Sequence, residues 1–382
     1  MTIGNLRRTW LDTAAIGMAA CLLCIGTATQ AAAQAPAPDP GQAAPATPPP
    51  PDPDKVTLNF FKGTEVGGLV DSYYQWYNTK TDGLYRAFDQ KHNQFAISMA
   101  EIWLGKTPTS DSPIGYKVRL NFGNATSVFT PATDGDYKNI EEAYGSYLAP
   151  AGKGLQIDVG KFVTNAGAEV VEAKDNWNYS RSLLFQLAIP VYHAGIRLTY
   201  SPNDKVTLMG GVVNGWNDVV DNNTGKTVMA SITLKPNAAT SIIENYIGGP
   251  EITGTNTPMR NLSDTVISYT ANPMVSVLFN YDYGKEGPSH WQGVAGYVKI
   301  QANKWVAVVP RVEYYNDANG WSTGTVQNIS DFTFTIEAKA ADNFLWRTEY
   351  RGDFSNQAVF SSATKNQQSL TFGFLYSFSS KS

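Results

Sequence analysis

Leu370-Thr371-Phe372-Gly373-Phe374-Leu375-Tyr376-Ser377-Phe378 reads as a β-strand, and it sets the terms for the whole chain. Successive side chains on a strand point to opposite sides. One side therefore carries Leu370, Phe372, Phe374, Tyr376 and Phe378, and the other Thr371, Gly373, Leu375 and Ser377. A soluble sandwich would turn the aromatic side to its core. Here that side recurs in segment after segment, and amounts to more apolar face than one core accommodates.

The same alternation appears upstream. Tyr116, Val118, Leu120 and Phe122 oppose Lys117, Arg119 and Asn121. Tyr192, Ala194, Ile196, Leu198 and Tyr200 oppose His193, Gly195, Arg197 and Thr199. Phe332, Phe334, Ile336 and Ala338 oppose Asp331, Thr333, Thr335, Glu337 and Lys339. Charges placed regularly behind an apolar face suit a wet lumen, because a dry core would penalise each of them.

The segments fall near 64–77, 92–105, 115–123, 139–149, 155–163, 190–201, 205–215, 226–236, 240–249, 262–271, 273–283, 290–301, 304–315, 329–339, 342–351 and 368–378. Every second connection is tight: Pro150 to Gly154, Ser201 to Asp204, Pro236 to Ala238, Ala271 to Pro273, Gln301 to Asn303 and Ala340 to Asp342. The intervening ones are mostly longer and polar, such as 124–138, 250–261, 316–328 and 352–367. Short turns at one end and long loops at the other predict an all-β fold, a transmembrane antiparallel up-and-down barrel of about 16 strands, within about two either way.

Composition agrees. Charged residues make up 16% of the 382, while the chain holds 20 Tyr and 9 Trp. No apolar run after the first thirty residues is long enough for a helical span. The net charge of −4 offers no basic surface for nucleic acid.

Residues 1–34 read as a signal peptide, with Arg7 and Arg8 ahead of the apolar run Ala14–Ile25 and a small-residue site at Ala31-Ala32-Ala33. A twin-arginine signal, or a lipidated Cys21, is an alternative reading of the same segment. Otherwise Cys21 and Cys24 leave with the signal, and the mature chain has no thiol to mispair in an oxidising compartment. Residues 35–60 are rich in proline, which cannot donate to a ladder. They predict a disordered periplasmic linker, either a plain tail or an arm toward peptidoglycan. The barrel is expected over 61–382.

From about Thr64 to Phe378 the chain resembles the OmpL-like family of outer-membrane β-barrel porins. The resemblance is carried by Asn178-Tyr179-Ser180-Arg181-Ser182, then Pro190 and Gly195-Ile196-Arg197-Leu198-Thr199-Tyr200, and near the end by Arg347-Thr348-Glu349-Tyr350-Arg351-Gly352-Asp353. It implies an outer-membrane location and passive transport, without catalytic residues. Phe378 resembles the terminal aromatic that such barrels show to the assembly machinery, although Ser379 to Ser382 follow it.

The longest connection, 164–189, holds Glu169, Glu172 and Asp175 at near-helical spacing, then Trp177, Tyr179 and Arg181. Folded inward, it would set these acids against lumen arginines and narrow a pore. Left outside, its acids would simply be solvated. The apolar run Leu183-Leu184-Phe185 needs burial somewhere and favours the inward path.

Arg311-Val312-Glu313-Tyr314 and Arg347-Thr348-Glu349-Tyr350 each place an Arg and a Glu on one face. With Lys117, Arg119, Asp158, Arg197, Lys235, Asp331, Glu337, Lys339 and Arg351 they are the expected lumen charges. They either guide solutes or pair with one another to stiffen the wall.

Enzyme chemistry finds little support. His92, His193 and His290 lie on separate segments, and no phosphate-binding glycine loop or Cys/His metal set appears. Asp134-Gly135-Asp136 and Asn316-Asp317-Ala318-Asn319-Gly320 have calcium-loop residues, but turns are built from the same types. The expectation is a porin passing small hydrophilic solutes, with no cofactor and no metal. Its partners would be outer-membrane lipid, the assembly machinery and, through Gly67-Gly68, other copies in a homo-trimer. The alternative is a closed barrel anchoring the outer membrane to the wall through the Pro-rich arm.

Overall fold

The computed structural model describes residues 61–128 and 132–380; the predicted signal segment and linker lie outside the described residues. Sixteen strands follow one another. They are β1 (Glu65–Tyr77), β2 (Gln94–Lys106), β3 (Ile114–Phe122), β4 (Ile140–Ala149), β5 (Leu155–Val163), β6 (Tyr192–Asn203), β7 (Val206–Val213) and β8 (Thr227–Asn237). Then come β9 (Thr240–Pro250), β10 (Met259–Asn272), β11 (Val275–Glu286), β12 (Ser289–Gln301), β13 (Val306–Asp317), β14 (Gln327–Ala341), β15 (Phe344–Ser355) and β16 (Asn366–Ser379).

Each strand pairs antiparallel with its neighbours in sequence, and β1 pairs with β16, so the sheet is a closed barrel. The seam runs from Gly67 opposite Ser379 to Tyr77 opposite Ser369. Closure pairs every strand on both edges, which a membrane demands because lipid offers no hydrogen bonds.

The faces are inverted relative to a soluble protein. Phe332, Phe334 and Ile336 are exposed, whereas Asp331, Thr333 and Thr335 between them are buried. On β16 Leu370, Tyr376 and Phe378 are exposed, while Thr371 and Leu375 are buried. Apolar groups turned outward and polar groups turned inward match a barrel with lipid outside.

Several strands run further than their side-chain pattern. β14 and β15 were expected at 329–339 and 342–351, yet the ladder continues to Phe354 opposite Asn366. Met259 to Asn261, expected as loop, pair with Pro250 to Gly248. Backbone amides keep pairing whatever side chains they carry, so polar sequence hides strand ends.

The small residues of β1 make room for side chains of the barrel's own wall. A Cβ on Gly68 would lie 2.6 Å from the Phe378 ring and 2.8 Å from the Glu101 carbonyl. One on Gly67 would lie 2.5 Å from Trp103. The room these glycines leave is taken up within the same barrel.

Candidate pore constriction

The connection between β5 and β6 folds into the barrel. Its residues reach β3 through Glu172, β10 and β11 through Gly167 and Ala168, β13 through Ser180, β15 through Tyr179 and β1 through the Tyr179 ring. One loop touches strands all round a closed wall only from within. Leu183–Leu187 forms a short helix there, capped by Ser182, whose hydroxyl accepts the Phe185 N–H at 3.0 Å. Its Leu183, Leu184 and Phe185 are buried against Phe88, Phe162, Trp291 and Tyr315.

Arginines and carboxylates of one wall hold the loop by its backbone. Arg311 donates to the Ser180 carbonyl at 2.6 Å, and its guanidinium also meets Glu169 at 3.3 Å, Glu313 at 2.7 Å and Asp331 at 3.5 Å. Arg347 donates to the carbonyls of Asn176 (2.5 Å), Asn178 (3.0 Å) and Ala173 while pairing with Glu337 at 2.5 Å. Arg351 donates to the Arg181 carbonyl at 2.5 Å and pairs with Asp331 and Asp353, both at 2.8 Å. Glu313 accepts the Leu183 N–H at 2.6 Å. Such charge-assisted bonds fix the backbone more firmly than neutral ones.

The loop's own charges separate. Glu169 accepts the Ser182 N–H at 2.6 Å besides meeting Arg311. Glu172 pairs with Arg119 across the interior. Asp175 pairs with its neighbour Lys174 at 2.6 Å and is half exposed. The near-helical spacing of these acids does not become a helix; Ala173–Asp175 is a single 3-10 turn, closed by the Asn176 N–H on the Ala173 carbonyl at 3.1 Å, with Arg347 donating to the carbonyls of Ala173 and Asn176. Arg181 turns back onto its own loop, donating to the carbonyls of Tyr179 (2.6 Å) and Val171 and lying 4.8 Å over Phe88.

The opposite wall is different. Lys117 lies 3.5 Å from Glu142, Arg119 lies 3.3 Å from Glu141, and Arg197 lies 2.9 Å from Asp158. The basic partners stay partly open, at 28%, 14% and 19% of their side chains, while the acids are at 7%, 2% and 1%. Lys235 sits at the short-turn end beside Lys205 and Asp204. Lys339 pairs with exposed Asp342 at 3.0 Å.

The sequence reading passed over Asp71, Glu101, Glu141, Arg86 and the pair Asp264 and Asp282, all buried. Asp71 accepts the Tyr179 hydroxyl at 2.7 Å, and Asp264 accepts the Gly167 N–H at 3.0 Å. Asp71 was within reach, since it shares a face with Tyr73 and Gln75 on a recognised strand. Glu141 was not: a register shift after Arg119 brings it to Arg119 and Asn121 alongside Glu142. Glu101, Glu141 and Glu172 lie close enough to hold a metal ion, but Arg119 pairs with two of them and supplies the positive charge already. His193 is buried between the Gly215 carbonyl (2.9 Å) and the Thr164 hydroxyl (3.1 Å). Asp134 and Asp317 accept backbone N–H groups of loops, the turn-building role of such residues.

Solved outer-membrane barrels share the fold. An anion-selective porin from Comamonas acidovorans matches with 10% identity and a TM-score of 0.56, over 82% of this chain and 99% of that one. The outer membrane channel DcaP of Acinetobacter baumannii matches with 11% identity and a TM-score of 0.56, over 82% and 97%. OmpT of Vibrio cholerae in a trimer form matches with 11% identity and a TM-score of 0.56, over 82% and 99%. No curated protein matches the sequence. The family model "Putative beta-barrel porin-2, OmpL-like" covers residues 63–378, the whole barrel, and the chain therefore belongs to the OmpL-like porin family of the outer membrane.

Proposed function

We propose that this porin is a passive diffusion channel for small hydrophilic solutes, with a preference for anions. The observation that carries it is the asymmetry of the interior. The loop from β5 to β6 covers one wall and meets β3 where Glu172 pairs with Arg119, and beside that bridge the facing wall presents Lys117 and Arg197 with their acids sunk behind them. A solute passing between loop and wall meets ammonium and guanidinium groups first. They replace part of an anion's hydration shell, while the anchored loop sets the size limit. That the structurally similar Comamonas acidovorans porin is anion-selective adds support. Assembly as a homo-trimer is part of the proposal, since a relative is described in a trimer form.

Single-channel conductance of the folded chain in a planar bilayer tests the reading. Stable steps that shrink with large neutral solutes, and a reversal potential on the anion side, are expected. A folded barrel giving no steps would favour the closed anchor, for which the apolar packing of Leu183 to Phe185 inside the barrel is the specific observation.

A further inference from the structure

On the outer surface of β5 a lysine stands where the pattern calls for an apolar residue. Val159 faces outward and Phe162 inward, so Lys161 shares the outward side with Val159, opposite Ala143 on β4 and Ala194 on β6. Yet Lys161 is only 5% exposed. Its ammonium lies 4.0 Å over the Tyr192 ring and has no hydrogen-bond partner among the described residues. The acid on the neighbouring loop, Asp134, is engaged elsewhere, accepting the Tyr192 hydroxyl at 3.0 Å and the Val219 N–H at 2.6 Å.

Beside this lysine is a cavity of about 420 Å³, lined by Tyr137, Ala143, Val159, Lys161, Ile196 and Val219 among others. It opens between the barrel's outer surface and two of its long loops. It lies at the long-loop end, because β5 ends at Val163 and β6 begins at Tyr192. Its walls are mostly apolar, and its single strand-borne charge is that buried ammonium.

A lysine shut away from water with no acid in hydrogen-bond reach is unfavourable, and the cation–π contact with Tyr192 and the more distant Asp134 carboxylate offset only part of the cost. An ammonium has three protons to donate, and an anion entering the cavity would take them in a medium of low dielectric. On a lipid-facing surface at headgroup depth, the anion at hand is a lipid phosphate. We propose that this niche binds an anionic lipid of the outer leaflet, its phosphate on Lys161 and an acyl chain along Val159 and Ile196. A second copy of the chain fits less well. The carboxylate that β9 turns outward, Glu244, is engaged by the hydroxyls of Ser263 (2.7 Å) and Thr265 (2.6 Å), and it lies near the short-turn end of its strand.

The test is native mass spectrometry of the full chain extracted from outer membrane in mild detergent, titrated with bisphosphorylated lipid A, zwitterionic phosphatidylethanolamine or inorganic phosphate. Wild type and Lys161→Arg should hold one lipid A per barrel. Lys161→Met should bind it at least about tenfold more weakly, with unchanged channel conductance showing that the barrel is folded. Val159→Trp, which fills the acyl track and leaves the charge, should lose the lipid too. Equal retention by wild type and Lys161→Met overturns the proposal. So does displacement of lipid A by inorganic phosphate alone, which would make the site one for a free anion. So would absence of lipid together with cross-linking of copies through Val159→Cys, which would assign the niche to a subunit contact.

Discussion

Glu349, on β15, accepts the backbone N–H of Tyr179 at 2.7 Å, joining the wall to a loop 170 residues earlier. The same carboxylate takes the Ser180 N–H at 3.0 Å and the Thr335 hydroxyl at 2.7 Å. Glu349→Ala leaves three buried donors, the N–H groups of Tyr179 and Ser180 and the Thr335 hydroxyl, without this acceptor, each costing about 1–3 kcal/mol. The loop should detach from this wall. Single-channel records are expected to show larger and noisier steps, with Glu349→Gln in between because its amide oxygen still accepts.

Arg311 neutralises Glu169, Glu313 and Asp331 at full burial. Arg311→Met strands Glu169 and Glu313 while Asp331 keeps Arg351, and breaking a buried pair in this way costs about 3–5 kcal/mol. The urea midpoint of the barrel in vesicles should fall accordingly. Adding Glu313→Gln should restore part of the loss, since it removes the nearest stranded charge. An additive double variant would show that the two residues are not coupled.

Lys117 is the most open of the three bases facing the loop. Lys117→Glu should move the reversal potential toward cations, and Arg197→Gln should do so by less because it removes one positive charge without adding a negative one. Both shifts should shrink as salt rises, with screening over about 10 Å at 0.1 M. No shift in either variant would place the conduction path elsewhere.

Loop acids at the outer end give a pH prediction. Burial, and next the negative charge of Glu251, push the Asp218 carboxyl from 3.8 to about 7. The folded loop therefore keeps a proton that the unfolded chain releases near pH 4, so this group's contribution to stability declines as pH rises from about 4 through about 7. Amides of Trp216 to Asn222, corrected for intrinsic rate, should exchange progressively faster between about pH 4 and about pH 7 and level off above that. In Asp218→Asn that dependence should flatten.

Much of the barrel was legible in sequence because strand alternation is local. Pleating alone sends Phe372 and Phe374 one way and Thr371 and Gly373 the other, and the tight turns at every second connection fix direction. From these the sixteen strands and the inward set including Arg311, Glu313, Arg347 and Glu349 follow without knowledge of what each touches.

Tertiary structure decided everything that depends on closing the ring. The seam pairing Gly68 with Phe378 joins the two ends of the barrel sequence, and only that closure gives the loop at 164–189 an inside to enter. No local pattern states that Glu349 will meet Tyr179 or that Glu172 will cross to Arg119, because those contacts are selected by the fit of a loop against a wall assembled from distant strands. Alternation alone turns Lys161 outward. Its burial beneath Tyr192 and the neighbouring loops comes from packing between segments far apart in the chain, and that packing sets the chemistry of the niche.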